Sequence, residues 1–150
     1  MDLNEIKEQW DKDCEIDQMQ LDIESLKTPK LHNKYYKIFI SEKMILLRLL
    51  SEMEVLKREK QDFYGQGPSK EQIDAGWELP AKGLILLKDI PSYINSDKDI
   101  INLSLRIGLQ NEKVEYLKNI TGGMLGPTGY STRTQSIKNA IDFRKWTEGN

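Results

Sequence analysis

The sequence predicts a mainly α-helical fold, and three observations carry the prediction. No Gly or Pro interrupts residues 30–64, and apolar side chains recur through that stretch at helical spacing. A second stretch, from Asp97 to Ile120, repeats Ile100, Leu103, Ile107, Val114 and Leu117 with the 3–4 spacing of a coiled-coil-like seam. Breakers gather in short clusters between such stretches: Gly65, Gly67 and Pro68, then Gly76, Pro80, Gly83 and Pro91, then Gly122 to Gly129. The pattern is two long helices plus shorter terminal ones.

Taken in order, Leu3, Ile6, Trp10 and Cys14 place a short amphipathic helix over Leu3 to about Ile16. A weaker piece follows from Met19 to Leu26, with Asp17 positioned to cap it. Thr28 as N-cap and Pro29 at the first helical position start the first long helix, which Gly65, Gly67 and Pro68 end. Its middle is apolar on several sides. Tyr35, Ile38, Ile45, Leu49 and Leu56 form one stripe, Tyr36, Phe39, Leu46, Leu50 and Met53 another, and Ile40, Met44 and Leu47 spread it further. A helix so apolar needs cover on several sides, and self-association is a natural source of it. Ser69 and Gln72 form a capping box for a short helical turn. Residues 84–88 read as a short strand or a buried helical turn, with Trp77 and Tyr93 pinning the segment. Gly108 either admits another helix closely or weakens its own. Residues 124–132 read as a hinge, and Thr134 to Glu148 as a final helix with Ile137, Ile141 and Arg144 on one line and Ala140 and Phe143 on another. The domain reading is therefore a helical core at 1–123 with a candidate binding edge at 57–67, and a hinge with a C-terminal oligomerisation helix at 124–150.

The 150 residues make one domain with a modest core. Charged residues are 31% of the chain, yet the net charge is only −2. That balance excludes a general polycation. The distribution is uneven: residues 1–27 hold nine acids against three lysines, residues 28–60 eight cations against four acids, and residues 105–146 seven cations against three acids. An anion-binding face belongs on the later segments. Cys14 stands alone, which excludes an internal disulfide and fits a reducing compartment. The start of the chain has no apolar signal region, and Glu42, Lys43 and Arg48 break the apolar run 38–50, so neither secretion nor a membrane span is expected.

The most informative stretch is Lys57 to Gly67, Lys-Arg-Glu-Lys-Gln-Asp-Phe-Tyr-Gly-Gln-Gly. Cations sit on phosphates and aromatic faces stack on unpaired bases. Lys57, Arg58, Lys60, Phe63 and Tyr64 are thus candidates for a strand-binding edge. The same residues also suit a solvated helix end whose aromatics cap the core. Enzyme readings lack support. The chain has no phosphate-cradling Gly-rich motif between strand and helix, and a single histidine, His32. Asp97 and Asp99 suit helix capping better than a metal. No catalytic residue, metal site or cofactor is expected.

Short motifs then fall in order along the whole chain. They are the opening Leu3 to Asp17, the Arg58, Lys60, Asp62, Phe63, Tyr64 pattern with its glycine-rich exit, Ser96-Asp97-Lys98-Asp99, and the end from Ile137-Lys138 through Asp142, Arg144, Glu148 and Gly149. In this the chain resembles the phage recombination mediators of UvsY type. Segments 69–95 and 124–132 depart from the family pattern. The resemblance implies a non-enzymatic mediator in the cytoplasm of an infected bacterium. Its implied partners are single-stranded DNA, single-strand-binding protein and a RecA-like phage recombinase. It also implies a ring of about six or seven copies held by the terminal helix through Ile137, Ile141, Phe143 and Arg144. A helical oligomeric adaptor with no role on DNA is the alternative reading.

Overall fold

Six α-helices and no strand make up the described residues, which are 1–80, 85–122 and 129–149 of this computed structural model, with 129–131 described by backbone alone. They fall into two compact units, residues 1–44 with 111–150 and residues 45–110. Two long helices, α2 (Leu21–Gln66) and α5 (Lys98–Thr121), each contribute to both.

In the first unit, Asp2 caps α1 (Leu3–Asp13). Its carboxylate accepts from the Glu5 backbone at 2.9 Å while the Glu5 carboxylate accepts from the Asp2 backbone at 2.8 Å, so two otherwise orphaned donors are satisfied. Ile6 then buries against Tyr35, Leu117 and Ile120, with the Trp10 ring edge-on to Tyr35 at 5.1 Å. At the end of α1 the Asp13 carboxylate takes Lys34 at 2.5 Å and the Tyr35 hydroxyl at 2.8 Å. Burial by itself raises the pKa of Asp13, and these two donors more than reverse it, leaving the carboxyl below its ordinary value.

Thr28 and Pro29 do not start a helix. The weaker piece expected before them is already part of α2, and Pro29 lies inside it. An interior proline costs about 3 kcal/mol in an otherwise free helix. Here the turns before it are held by tertiary contacts. Leu21 is buried, and so is Glu24, whose carboxylate pairs with Arg133 of α6 (Gly129–Glu148). Arg133 also donates to the Glu24 carbonyl at 2.8 Å and to the Thr28 hydroxyl at 2.6 Å. Ile137, one turn further along α6, is buried as well.

In the second unit, Leu49 and Met53 of α2 pack on Ile100 and Leu103 of α5, flanked by Leu56, Ile94 and Ile107. The predicted seam of α5 is therefore real at Ile100, Leu103 and Ile107, and in the first unit at Val114 and Leu117, both buried. Gly108 serves no close approach, since a Cβ there would meet nothing within 4 Å. Ser69 and Gln72 form the expected capping box ahead of α3 (Lys70–Asp74). No strand forms at 85–88. Ile85 and Leu86 are irregular and the chain turns at 87–89, where the Asp89 N–H bonds to the Leu86 carbonyl at 2.8 Å before α4 (Ile90–Ser96). With Pro91 two residues beyond Asp89, the backbone there is better placed to begin a helix than to pair in a ladder. Leu84 of the expected strand, and residues 124–128 of the expected hinge, lie outside the described residues. The rest of that hinge, 129–132, already belongs to α6.

Candidate nucleic-acid interface

The last turns of α2 carry the predicted edge, and helical geometry divides its residues. Lys60, Phe63 and Tyr64 stand at i, i+3 and i+4, so they share one face. That face turns inward. Phe63 (2% exposed) and Tyr64 (9%) form a core cluster with Ile90, against which Trp77, Ile85 and Tyr93 pack. Phe63 meets Trp77 edge-on at 5.1 Å, and Tyr64 lies tilted on Tyr93 at 5.7 Å. Gly67, with φ of 92°, ends the helix in a conformation that glycine adopts without strain.

Lys60 is buried with its aromatic neighbours, at 4% exposure. Its ammonium donates to Asp99 at 2.7 Å and lies 3.0 Å from Asp97, so two carboxylates face one cation. The Trp77 ring closes the other side, its centroid 3.6 Å from the nitrogen. The Tyr64 hydroxyl donates to Asp97 at 2.7 Å, and the Asp99 N–H donates to the same carboxylate at 2.9 Å, which fixes Asp97 as the cap of α5. Burial alone would raise the pKa of Asp97. Tyr64, Lys60 and the Asp99 N–H outweigh it and hold the carboxyl below its ordinary value. Burial and the adjacent Asp97 carboxylate together push the Tyr64 phenol well up. Beside this cluster lies a cavity of about 440 Å³, bordered by Lys60, Trp77, Tyr93, Lys98 and Asp99.

Lys57 and Arg58 are exposed. Lys57 makes only a loose pair with Glu54 at 3.4 Å, between two half-exposed or more exposed side chains that water screens. Of the five predicted contacts, then, two face solvent and three form the frame beneath them. Sequence reasoning recognised Asp97 as a cap and Trp77 as a pin. It did not join them to Lys60, because their separation along the chain gives no periodic signal.

The predicted oligomerisation residues also divide. Ile137 is buried within this chain, Ile141 and Arg144 are half-buried, and Arg144 donates to the Gln18 carbonyl. Phe143, 62% exposed, stands beside Trp146, 78% exposed, their rings 6.1 Å apart. Among the described residues no group of His, Cys, Asp and Glu could hold a metal ion, and no helix is long and apolar enough to cross a membrane.

The fold is similar to that of the recombination mediator protein UvsY of bacteriophage T4. One crystal form of that protein superposes with a TM-score of 0.81 at 19% identity, covering 99% of each chain. A second gives 0.79 at 19% identity over 95% of this chain and 98% of that one, and a third gives 0.77 at 18% over 98% and 99%. No curated protein sequence matches this chain. Residues 9–150 match the family described as recombination, repair and ssDNA binding protein UvsY. With nearly its whole length inside that match and the fold in agreement, the chain is a member of the UvsY family.

Proposed function

We propose that this protein is a recombination mediator that binds single-stranded DNA along the end of α2. The observation that carries this reading is the pair of exposed cations Lys57 and Arg58, mounted on a buried aromatic frame in a chain of the UvsY family. Lys57 and Arg58 take the phosphates. Phe63 and Tyr64 hold the helix end rigid, and their buried rings support the edge from within. Lys60 belongs to the same edge, with its charge held by Asp97 and Asp99. Bound to a strand coated by single-strand-binding protein, the mediator loosens the coat and loads a RecA-like recombinase in the cytoplasm of the infected host. Assembly into a ring of about six or seven copies through the terminal helix multiplies a weak edge into a strong grip, since each further contact is then intramolecular.

The test is fluorescence anisotropy with labelled poly-dT beside duplex of equal length, at low and moderate salt. Binding should favour the single strand and weaken with salt. Replacing Lys57 and Arg58 together by Gln should flatten the slope of log affinity against log salt by about 1.4, at roughly 0.7 for each phosphate no longer neutralised. Absence of binding at low salt by a folded protein would leave the adaptor reading in its place.

A further inference from the structure

Lys60 is the residue of the basic motif whose charge is held by two carboxylates, where Lys57 has only its loose pair with Glu54. Its ammonium holds Asp99 at 2.7 Å and Asp97 at 3.0 Å, which is the contact a backbone phosphate would otherwise make. The two acids are not equivalent. The Asp97 side chain is 8% exposed and locked by Tyr64 and the α5 backbone, whereas the Asp99 side chain is 55% exposed, so water already reaches its end of the pair with the buried Lys60. On the same side lies the cavity of about 440 Å³, bordered also by Lys98, with room for the ammonium to turn outward or for a phosphate to enter.

From this geometry we infer that Asp99 is a carboxylate latch on Lys60, occupying the phosphate position until a strand displaces it. Asp97 is the fixed counter-charge that keeps Lys60 in place, and the Trp77 ring lies against the Lys60 ammonium, its centroid 3.6 Å from the nitrogen. The inference rests on the strand-binding reading above. Its consequence is a tunable edge. Lys57 and Arg58 make first contact, and Lys60 joins once Asp99 gives way to phosphate, so affinity is set by the exchange of one anion for another. The exchange is easy at Asp99 because water already reaches it, and hard at Asp97 because burial leaves that carboxylate nowhere else to go.

The experiment compares Asp99→Asn with Glu59→Gln, which removes an equal charge from an exposed position between Arg58 and Lys60 in the chain. Poly-dT affinity is measured across a salt series. Lys60 meets phosphate in both proteins, but the variant has no carboxylate to displace. Asp99→Asn should therefore bind about fivefold tighter, the worth of about one hydrogen bond, with its slope unchanged, while Glu59→Gln should show no such gain. Equal affinity in the two variants would overturn the latch. A wild-type protein that binds no strand would overturn the reading beneath it as well, and that outcome is distinct because it appears before any variant is made. A second measurement covers loss of folding in Asp99→Asn. With Trp10→Phe and Trp146→Phe, Trp77 is the sole reporter. Its emission should change on saturation with poly-dT as phosphate replaces the Asp99 carboxylate on the ammonium that faces the ring. Unchanged emission at saturation would overturn the proposal.

Discussion

At Lys60, a side chain that sequence would assign to DNA serves the fold first. Burial of a cation is costly unless opposite charge and hydrogen bonds replace its water, and Asp97, Asp99 and the Trp77 face supply that replacement. Two residues of one motif should therefore fail differently. Replacing Lys60 by Ala leaves Asp97 buried without its cation and should lower stability by about 3 kcal/mol or more, read by urea unfolding. Replacing the exposed Arg58 by Ala should leave unfolding within about 0.5 kcal/mol of wild type while weakening strand binding. A double replacement at 58 and 60 would confound the two effects. Cys14 belongs to this scale too. Burial and the nearby Asp11 charge raise its pKa, so it should react with a thiol reagent more slowly at neutral pH than a free cysteine.

Among the elements, α6 depends on a polar anchor. Arg133 and Glu24 are both buried, and Lys27 adds a second cation to the same carboxylate at 2.5 Å. The Lys27 hydrogen bond opposes burial, and with the charges of Lys27 and Arg133 it holds Glu24 below its ordinary pKa of 4.5. The sign follows directly. A carboxyl depressed on folding adds stability that is fully present above its unfolded pKa and is lost as pH falls through the folded one. Backbone amide protection in residues 132–148, taken relative to the intrinsic exchange rate at each pH, should thus fall as pH drops below about 4.5, and the Tyr35 cluster should weaken in acid too, because the Asp13 carboxylate holds the Tyr35 hydroxyl. Replacing Arg133 by Met should produce the same local opening at neutral pH, at a cost of about 3–5 kcal/mol, because Glu24 keeps its burial and loses its buried partner.

At the scale of the molecule, apolar side chains remain outside. Ile40, Met44 and Leu47 of α2, Leu105 and Leu109 of α5, and Phe143 and Trp146 of α6 are all exposed in the single chain. The proposed ring gives this surface a use. Phe143→Ser with Trp146→Ser should reduce the assembly mass in analytical ultracentrifugation while leaving helical content unchanged, since neither ring is buried within its own chain. Ile137→Ser should instead destabilise the chain, because that side chain fills its own core. An unchanged assembly mass in the double variant, or a fall that comes with unfolding, would remove Phe143 from the interface.

The helical class, the two long helices, the break at Gly65 to Pro68, the absence of a polycation's charge and the basic-aromatic motif were determined by the sequence, because spacing, capping boxes and breakers act within a few residues. The start of α2 and the whole of α4 were not. Ser69 with Gln72, Gly67 and the α5 seam are cases where local chemistry and final structure agree. Other outcomes depended on residues far apart. Arg133 clasping Glu24 lets α2 run through Pro29, and no local signal at Thr28 foretells it. Asp97, Asp99 and Trp77 turn Lys60 from an apparent phosphate ligand into a buried, paired cation, while Lys57 and Arg58 stay in water. The motif names the residue types that can meet a strand. Only the packing of α4 and α5 on the end of α2 decides which of them stay in water, because the charge a cation offers depends on the partners and the water that folding leaves around it.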